Sequence, residues 1–350
     1  MITSKGKYCS TTYFHKGLKM KNFTTVVGID VAKDSLAISI FDGKIHQVQE
    51  FDYTKREIRK ELINPFKKIK SSVVFVMEST GVYHTRLAYW LNSEGFHISV
   101  VNPLIIKRYS QMHLMRIKTD SADAKLIAEY GYEYQHKLSF FQPKKEAQIA
   151  VDNLIKAIDD LLHQKTMTNN QSLALKKQVN YSKDALGSYQ RHIKFLKDEI
   201  KRLEKLLQTL LIEEFNKEYE LLKSIPGIGL KVSAMIIAVF NRFENFTNAK
   251  QACSFIGIAP SPYESGTSVK GRGSISKRGN PFARQMLFMG ALSATIYNPL
   301  IRQKYQRLVQ NGKTKMVAMV AAANKLLRQA FGVLKSGKPF NENYVGIHNI

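Results

Sequence analysis

Four carboxylates occupy positions where metal chemistry is possible. Asp30 follows the apolar run in VVGIDVAKDS, and Glu78 closes VVFVME. Asp120 and Asp123 lie three apart in KTDSADAKLIAEY. A spacing of three puts both aspartates on one face of a helix. Hard oxygen ligands of this kind suit Mg²⁺ or Mn²⁺ and phosphoryl transfer, where two ions about 4 Å apart clamp attacking and leaving oxygens. Singly, each acid has a plainer explanation as a strand end or a favourable charge near a helix N-terminus. Together, acids that follow two buried strands carry a desolvation cost that pairing or a metal must offset.

A second group lies in APSPYESGTSVKGRGS, which reads as a Gly/Ser/Pro-rich loop crowded with hydroxyls: Ser261, Ser265, Thr267, Ser268, Ser274 and Ser276. Most serines in such loops hydrogen-bond their own turn. No histidine lies nearby in sequence, so a nucleophile here needs a base from elsewhere. Lys270, Arg272, Lys277, Arg278 and Arg284 surround the loop and could stabilise phosphate charge. Tyr263 and Phe282 could stack on bases, although core packing serves Phe282 equally well.

The chain that must position these groups has 350 residues, with 53 Lys+Arg against 28 Asp+Glu and a net charge of +25. From Ser265 to Pro339 it carries 14 Lys/Arg and no Asp or Glu. Ordinary solvated faces mix both signs, so this stretch reads as a nucleic-acid surface. The segment IPGIG, with Gly227 and Gly229, reads as a helix, a tight turn and a second helix. Its glycines could admit a phosphate to backbone N–H groups, or simply cap a helix. Two cysteines, Cys9 and Cys253, exclude a disulfide scaffold and argue against zinc. No apolar run approaches the roughly 18 residues of a membrane span and no signal peptide begins the chain, so a cytoplasmic protein without membrane partners is expected.

The expected organisation is α/β followed by α. Residues 1–22 read as a flexible extension. In residues 23–145, strands over Thr24–Val31, Leu36–Phe41 and Lys44–Phe51 form an antiparallel meander. A helix over Thr54–Lys70 interrupted by Pro65, a buried strand Ser72–Met77, a helix Val82–Ser93 and a strand His97–Val101 complete a mixed sheet. Residues 146–220 carry heptad spacing. Val151, Leu154, Ile158 and Leu161 step by 3, 4 and 3, and Ile193, Leu196, Ile200, Leu203, Leu207 and Leu210 continue the pattern. Asn169, Asn170 and Gly187 read as breaks, and the coiled coil serves either an intramolecular hairpin or a dimerisation arm. Residues 221–340 form a mostly helical domain, and 341–350 a tail.

These motifs, in this order, resemble one family. GIDVAKDS, MESTGVYH, VNP and RIKTDSADAKLIAEYG are similar to the DEDD domain of bacterial transposases of the one-ten insertion-sequence family, which includes the Piv site-specific DNA invertases. IPGIGLKVSAMIIA, ACSFIGIAPSPYESGT and GSISKRGNPFARQMLFMGA are similar to that family's second domain. The resemblance implies a RuvC-like, RNase H-type fold for the first domain. It also implies an acidic tetrad of Asp30, Glu78, Asp120 and Asp123 holding Mg²⁺ or Mn²⁺, and a serine nucleophile at Ser265 beside Gly266. The IPGIG segment is helix-hairpin-helix-like. The expected activity is cutting and rejoining of target and donor DNA through a phosphoserine–DNA intermediate, guided by a structured non-coding RNA. Recombination of two duplexes implies a homodimer or homotetramer. The alternatives are a Piv-like invertase without an RNA guide, and a metal-dependent hydrolytic nuclease in which Ser265 is structural. An actin-like sugar kinase lacks its second phosphate-loop glycine here, and a non-enzymatic nucleic-acid scaffold would show no metal dependence.

Overall fold

The computed structural model describes residues 23–79, 81, 83–114, 119–261, 264–265, 269–270, 274–276 and 279–342, of which 261, 264–265, 269–270 and 274 by backbone alone. The chain divides into two compact units, Met1–Pro143 and Lys144–Ile350.

Unit 1 is built on a five-stranded sheet. The strands are β1 (Thr25–Val31), β2 (Ser35–Phe41), β3 (His46–Asp52), β4 (Val73–Glu78) and β5 (His97–Val101), in the order β3-β2-β1-β4-β5. The first three pair antiparallel, whereas β1–β4 and β4–β5 are parallel. Because side chains alternate across a sheet, the apolar runs split between two cores. Val27, Ile29, Phe75 and Met77 pack on one face with Leu62, Leu87 and Leu91. Val26, Val74 and Val76 pack on the other with Ile106, Ile127 and Tyr130. Wholly apolar strands are what a sheet covered on both faces requires.

The segment after β3 is not one helix. Thr54 does cap a short α1 (Lys55–Glu57), its hydroxyl accepting from the Glu57 N–H. The chain then widens into a π turn over Ile58–Ile63, with Asn64 N–H donating to the Arg59 carbonyl at 2.9 Å. A 3₁₀ turn follows at Lys67–Ile69. Pro65, which lacks an N–H and clashes with the carbonyl four residues back, accounts for the break. The remaining helices of unit 1 are α2 (Tyr83–Ser93), α3 (Pro103–Met112) and α4 (Asp120–Glu133). Asn102 caps α3 and Thr119 caps α4.

Unit 2 begins with two long helices, α5 (Glu146–Lys176) and α6 (Lys183–Lys223), packed on each other as a hairpin. The turn between them lies at 177–182, where Ser182 caps α6. Asn169, Asn170 and Gly187 are inside the helices: the two exposed asparagines, and a single glycine, are tolerated where the buried stripe continues. Val151, Ile158, Ile200 and Leu207 are buried, and Leu154, Leu161, Leu203 and Leu210 pack around them. Then come α7 (Leu230–Phe240), α8 (Ala249–Phe255), four two-residue strands, and α9 (Pro281–Tyr297), α10 (Pro299–Gln310) and α11 (Lys315–Ser336). Among the described residues, α11 alone is long and apolar enough to cross a membrane by length and composition, and half of that stretch is buried. Ala322, Leu326, Leu327 and Ala330 are fully covered in the unit 2 core, as in any core helix.

Candidate functional site

The carboxylates of unit 1 are positioned by strand register and by one close helix–sheet contact. The β1–β4 ladder places Ile29 opposite Met77, so Asp30 and Glu78 are the next residues of two adjacent parallel strands. Alternation puts Asp30 on the face of Val26 and Gly28, and Glu78 on the face of Val74 and Val76. This is the face that α4 covers.

Gly28 and Gly131 fix how α4 lies there. A Cβ on Gly28 would collide with the Ala124 carbonyl oxygen and the Ala128 nitrogen, and one on Gly131 would come within 2.8 Å of Val26 and Val76. From Gly131 back to the middle of 124–128 is roughly 7.5 Å of helix, and from Val26 to Gly28 roughly 6.6 Å of strand. Thus α4 runs antiparallel to β1, and its first turn reaches the level of Asp30. Asp120 belongs to the stripe 120-124-127-131 that meets the sheet, and Asp123 lies beside it. Asp120 is exposed, while Asp30, Glu78 and Asp123 are half-buried.

All four acids are therefore arranged around the carboxyl end of β1 and β4, on one face. Among the described residues, no three His, Cys, Asp or Glu side chains are gathered tightly enough to grip one ion. Their chemistry fits a hard divalent cation.

A different trio is more tightly drawn. The Ser39 hydroxyl lies 2.9 Å from His46 Nδ1, and His46 Nε2 lies 3.1 Å from Glu129. Serine, imidazole and carboxylate in line suggest a hydrolytic relay, but Ser39 is 0% exposed and no substrate reaches it. The trio ties β3, at the sheet edge, to α4.

The Ser265 segment is not an open loop. β6 (Pro260–Ser261) pairs antiparallel with β9 (Ser274–Ile275), and β7 (Glu264–Ser265) with β8 (Val269–Lys270), forming two successive rungs of a β-hairpin. Ser265 ends β7 opposite Val269, next to the chain reversal. Sequence periodicity missed the hairpin because each strand is only two residues long. Arg272, Lys277, Arg278 and Tyr263 lie outside the described residues.

The root of this hairpin is held by packing and three polar anchors. Arg284 Nη1 donates to the Ile256 carbonyl at 2.8 Å. Asn324 Nδ2 donates to the Ile258 carbonyl at 3.4 Å, and Arg328 Nε donates to Asn324 Oδ1 at 2.9 Å. Gly279, at φ +102°, passes so close to Phe255 and Ile256 that any side chain would strike their backbone. Arg284, expected to face phosphate, thus also anchors the arm.

The IPGIG turn connects α6 to α7. Gly227, at φ +102°, packs against Gly290 and within 2.5 Å of Ala294 where a Cβ would stand. Asn298, fully buried, donates to the Pro226 carbonyl at 3.3 Å and caps α10. Gly229 caps α7, and nothing occupies the 4 Å around its missing Cβ. Phe282 packs on the unit 2 core.

Two segments of the chain match known protein families. Residues 27–180 match a family described as transposase, the DEDD transposases of IS110 elements. Residues 219–306 match the transposase IS116/IS110/IS902 family. The chain is 30% identical to the pilin gene-inverting protein of Moraxella lacunata over 327 residues, covering 91% of this chain and 98% of that one. It is 26% identical to the transposase for insertion sequence element IS1111A of Coxiella burnetii, over 79% of this chain and 80% of the relative. With both segments matched in order and a relative covered over nearly its full length, this chain belongs to the IS110 family of transposases.

Proposed function

We propose that this chain is a transposase or site-specific recombinase of a mobile element that cuts and rejoins DNA through a phosphoserine–DNA intermediate at Ser265. The observation that carries this reading is the arrangement of Asp30, Glu78, Asp120 and Asp123 around one end of one sheet face, in a strongly basic transposase. These four residues would hold Mg²⁺ or Mn²⁺, which when bound stabilises charge on phosphate oxygens. The antiparallel meander followed by two parallel strands supports a RuvC-like, RNase H-type reading of unit 1. Ser265 Oγ attacks phosphorus, a P–O bond forms, and the bond to the departing strand end breaks to leave a hydroxyl. A carboxylate takes the serine proton, and the departing strand-end oxygen gains one from that acid or from solvent water. Reversal by another strand end rejoins DNA without ATP. The serine belongs to unit 2 and the acids to unit 1.

Lys270, Arg272, Lys277, Arg278 and Arg284 are assigned to phosphate contacts, and the Gly227–Gly229 turn to a helix-hairpin-helix-like DNA contact. A structured guide RNA bound to the acid-free basic surface, and assembly as a homodimer or homotetramer through the α5–α6 coiled coil, complete the proposal. A second reading, a DNA invertase without an RNA guide, is supported by the 30% identity to a pilin gene-inverting protein. The deciding experiment supplies the purified protein with a plasmid carrying the element's ends and with Mg²⁺, with and without RNA transcribed from the element's flanks. Joined products only with RNA support the guided reading; inverted products without RNA support the second. No strand cleavage under either condition overturns both.

A further inference from the structure

The acid-free stretch contains a cluster that the motifs do not include. Lys304 and Arg307 are three apart on α10, and Lys325 and Arg328 are three apart on α11, so each pair shares one helical face. The two helices pack together, and Leu300, Gln303, Lys304, Arg307 and Lys325 line a cavity of about 220 Å³ between them. Lys304 and Lys325 are half-buried and Arg307 is exposed on the cavity lining, while Arg328, also exposed, lies one turn beyond Lys325 on α11.

Nothing of opposite sign answers these charges. None of the four makes an ion pair with an acid among the described residues. Burial, and then the charges of Lys325, Arg328 and Arg307, hold the Lys304 ammonium below the ordinary lysine range. The nearby Cys253 thiol gives no relief, because its burial pushes its pKa up and keeps it neutral. Arg328 is also held in place through Asn324, itself buried and bonded to the Ile258 carbonyl at the hairpin root. Like charges gathered in a partly desolvated cavity repel one another, and a fold tolerates that arrangement most readily when an anion enters it.

We propose that Lys304, Arg307, Lys325 and Arg328 form a receptor for a backbone phosphate of bound nucleic acid, between α10 and α11. The cavity is large enough for a phosphodiester group, and guanidinium and ammonium donors suit its oxygens. Such a contact sets the register of the polymer without reading its sequence. This inference rests on the nucleic-acid reading of the chain, but it is independent of the strand-cleavage chemistry.

The test measures binding of the full chain to two labelled probes, a random-sequence duplex DNA and a single-stranded RNA of equal length, over a range of salt. The variant is Lys304→Gln/Lys325→Gln. The control, Lys201→Gln/Lys205→Gln, removes the same charge from exposed positions on α6. Affinity of the cavity variant should fall about tenfold or more below the control. The slope of log affinity against log salt should become shallower by about one. A loss confined to one probe identifies the polymer that occupies the cavity. Thermal stability of the cavity variant should hold or rise, since repulsion is relieved. Binding equal to the control for both probes overturns the proposal. So does a lowered Tm with an unchanged salt slope, which would make the lysines structural. Because the readout is binding, its failure is distinct from failure of the recombinase reading, which is judged by cleavage.

Discussion

Asp30 and Glu78 each follow directly on the last paired couple of the β1–β4 ladder, Ile29 opposite Met77, and both belong to the sheet face covered by α4. Asparagine keeps the size of aspartate and removes only its charge, so a loss of phosphoryl-transfer chemistry at this position can be read apart from a loss of packing. Asp30→Asn is expected to leave the chain folded, as a cooperative melt would show, while strand cleavage falls by roughly a hundredfold or more, the scale on which loss of one charge-stabilising group acts. Asp120→Asn should behave alike. Full cleavage by Asp120→Asn in Mg²⁺ would remove that residue from the catalytic set.

Two glycines give opposite expectations. Gly28→Ala drives a methyl into the backbone of α4 at Ala124 and Ala128. Overpacking of this kind costs about 1–3 kcal/mol, so Tm should fall by several degrees, with cleavage falling as α4 shifts away from Asp30. Gly229→Ala meets nothing within 4 Å and has φ −103°. Its stability cost should stay under about 1 kcal/mol, while nucleic-acid affinity drops if a phosphate approaches this turn. Thermal melts and a binding titration on the two variants separate the cases.

Asn324 links the hairpin root to α11. Asn324→Ala leaves the Ile258 carbonyl without its donor and releases Arg328. Loss of a buried partner costs about 1–3 kcal/mol. The expected result is a lower Tm, and faster amide exchange at residues 258–261 than elsewhere in unit 2. Uniform exchange across the unit would mean that the anchor does not stabilise the arm locally.

Burial divides the long helices into positions that hold the fold and positions left for assembly. Leu207 is 0% exposed in the unit 2 core, whereas Phe195 is 62% exposed and Leu206 46%. Leu207→Glu should unfold unit 2 whatever the oligomeric state. Phe195→Glu/Leu206→Glu should leave Tm unchanged and shift the assembly toward monomer, read by light scattering. An unchanged mass would rule out this face of α6 as the contact.

What the sequence made legible follows from how local each signal is. The strand His97–Val101 and the end of the preceding helix at Ser93 depend on neighbouring residues, and their positions match. The fold-class reading, a mixed sheet followed by helices, depends on patterning over tens of residues and also holds. The π turn after Glu57, the helix break at 177–182 and the two-residue strands around Ser265 depend on hydrogen bonds or partners that periodicity does not encode. Asp30 and Glu78 were visible as strand-end acids, but their common face required the register. The cationic cavity escaped notice because its two halves are some twenty residues apart, and only the packing of α10 on α11 joins them.

The most specific expectation concerns Ser265. It ends β7 beside the chain reversal, on an arm rooted by Arg284, Asn324 and Gly279. A hydroxyl at its ordinary pKa is a poor nucleophile and must lose its proton as it attacks. Ser265→Ala should retain nucleic-acid binding, because the basic surface is untouched, yet lose both cleavage and joining. Wild-type protein stopped with denaturant during reaction should carry DNA covalently on the tryptic peptide that contains Ser265. The neighbouring hydroxyls sharpen the result. An adduct mapped to Ser261, Ser268 or Ser274 moves the nucleophile along the sequence and keeps covalent catalysis. Absence of any adduct, with cleavage undiminished in Ser265→Ala, makes water the nucleophile and the protein a hydrolytic nuclease, since only a covalent link preserves the phosphodiester for rejoining.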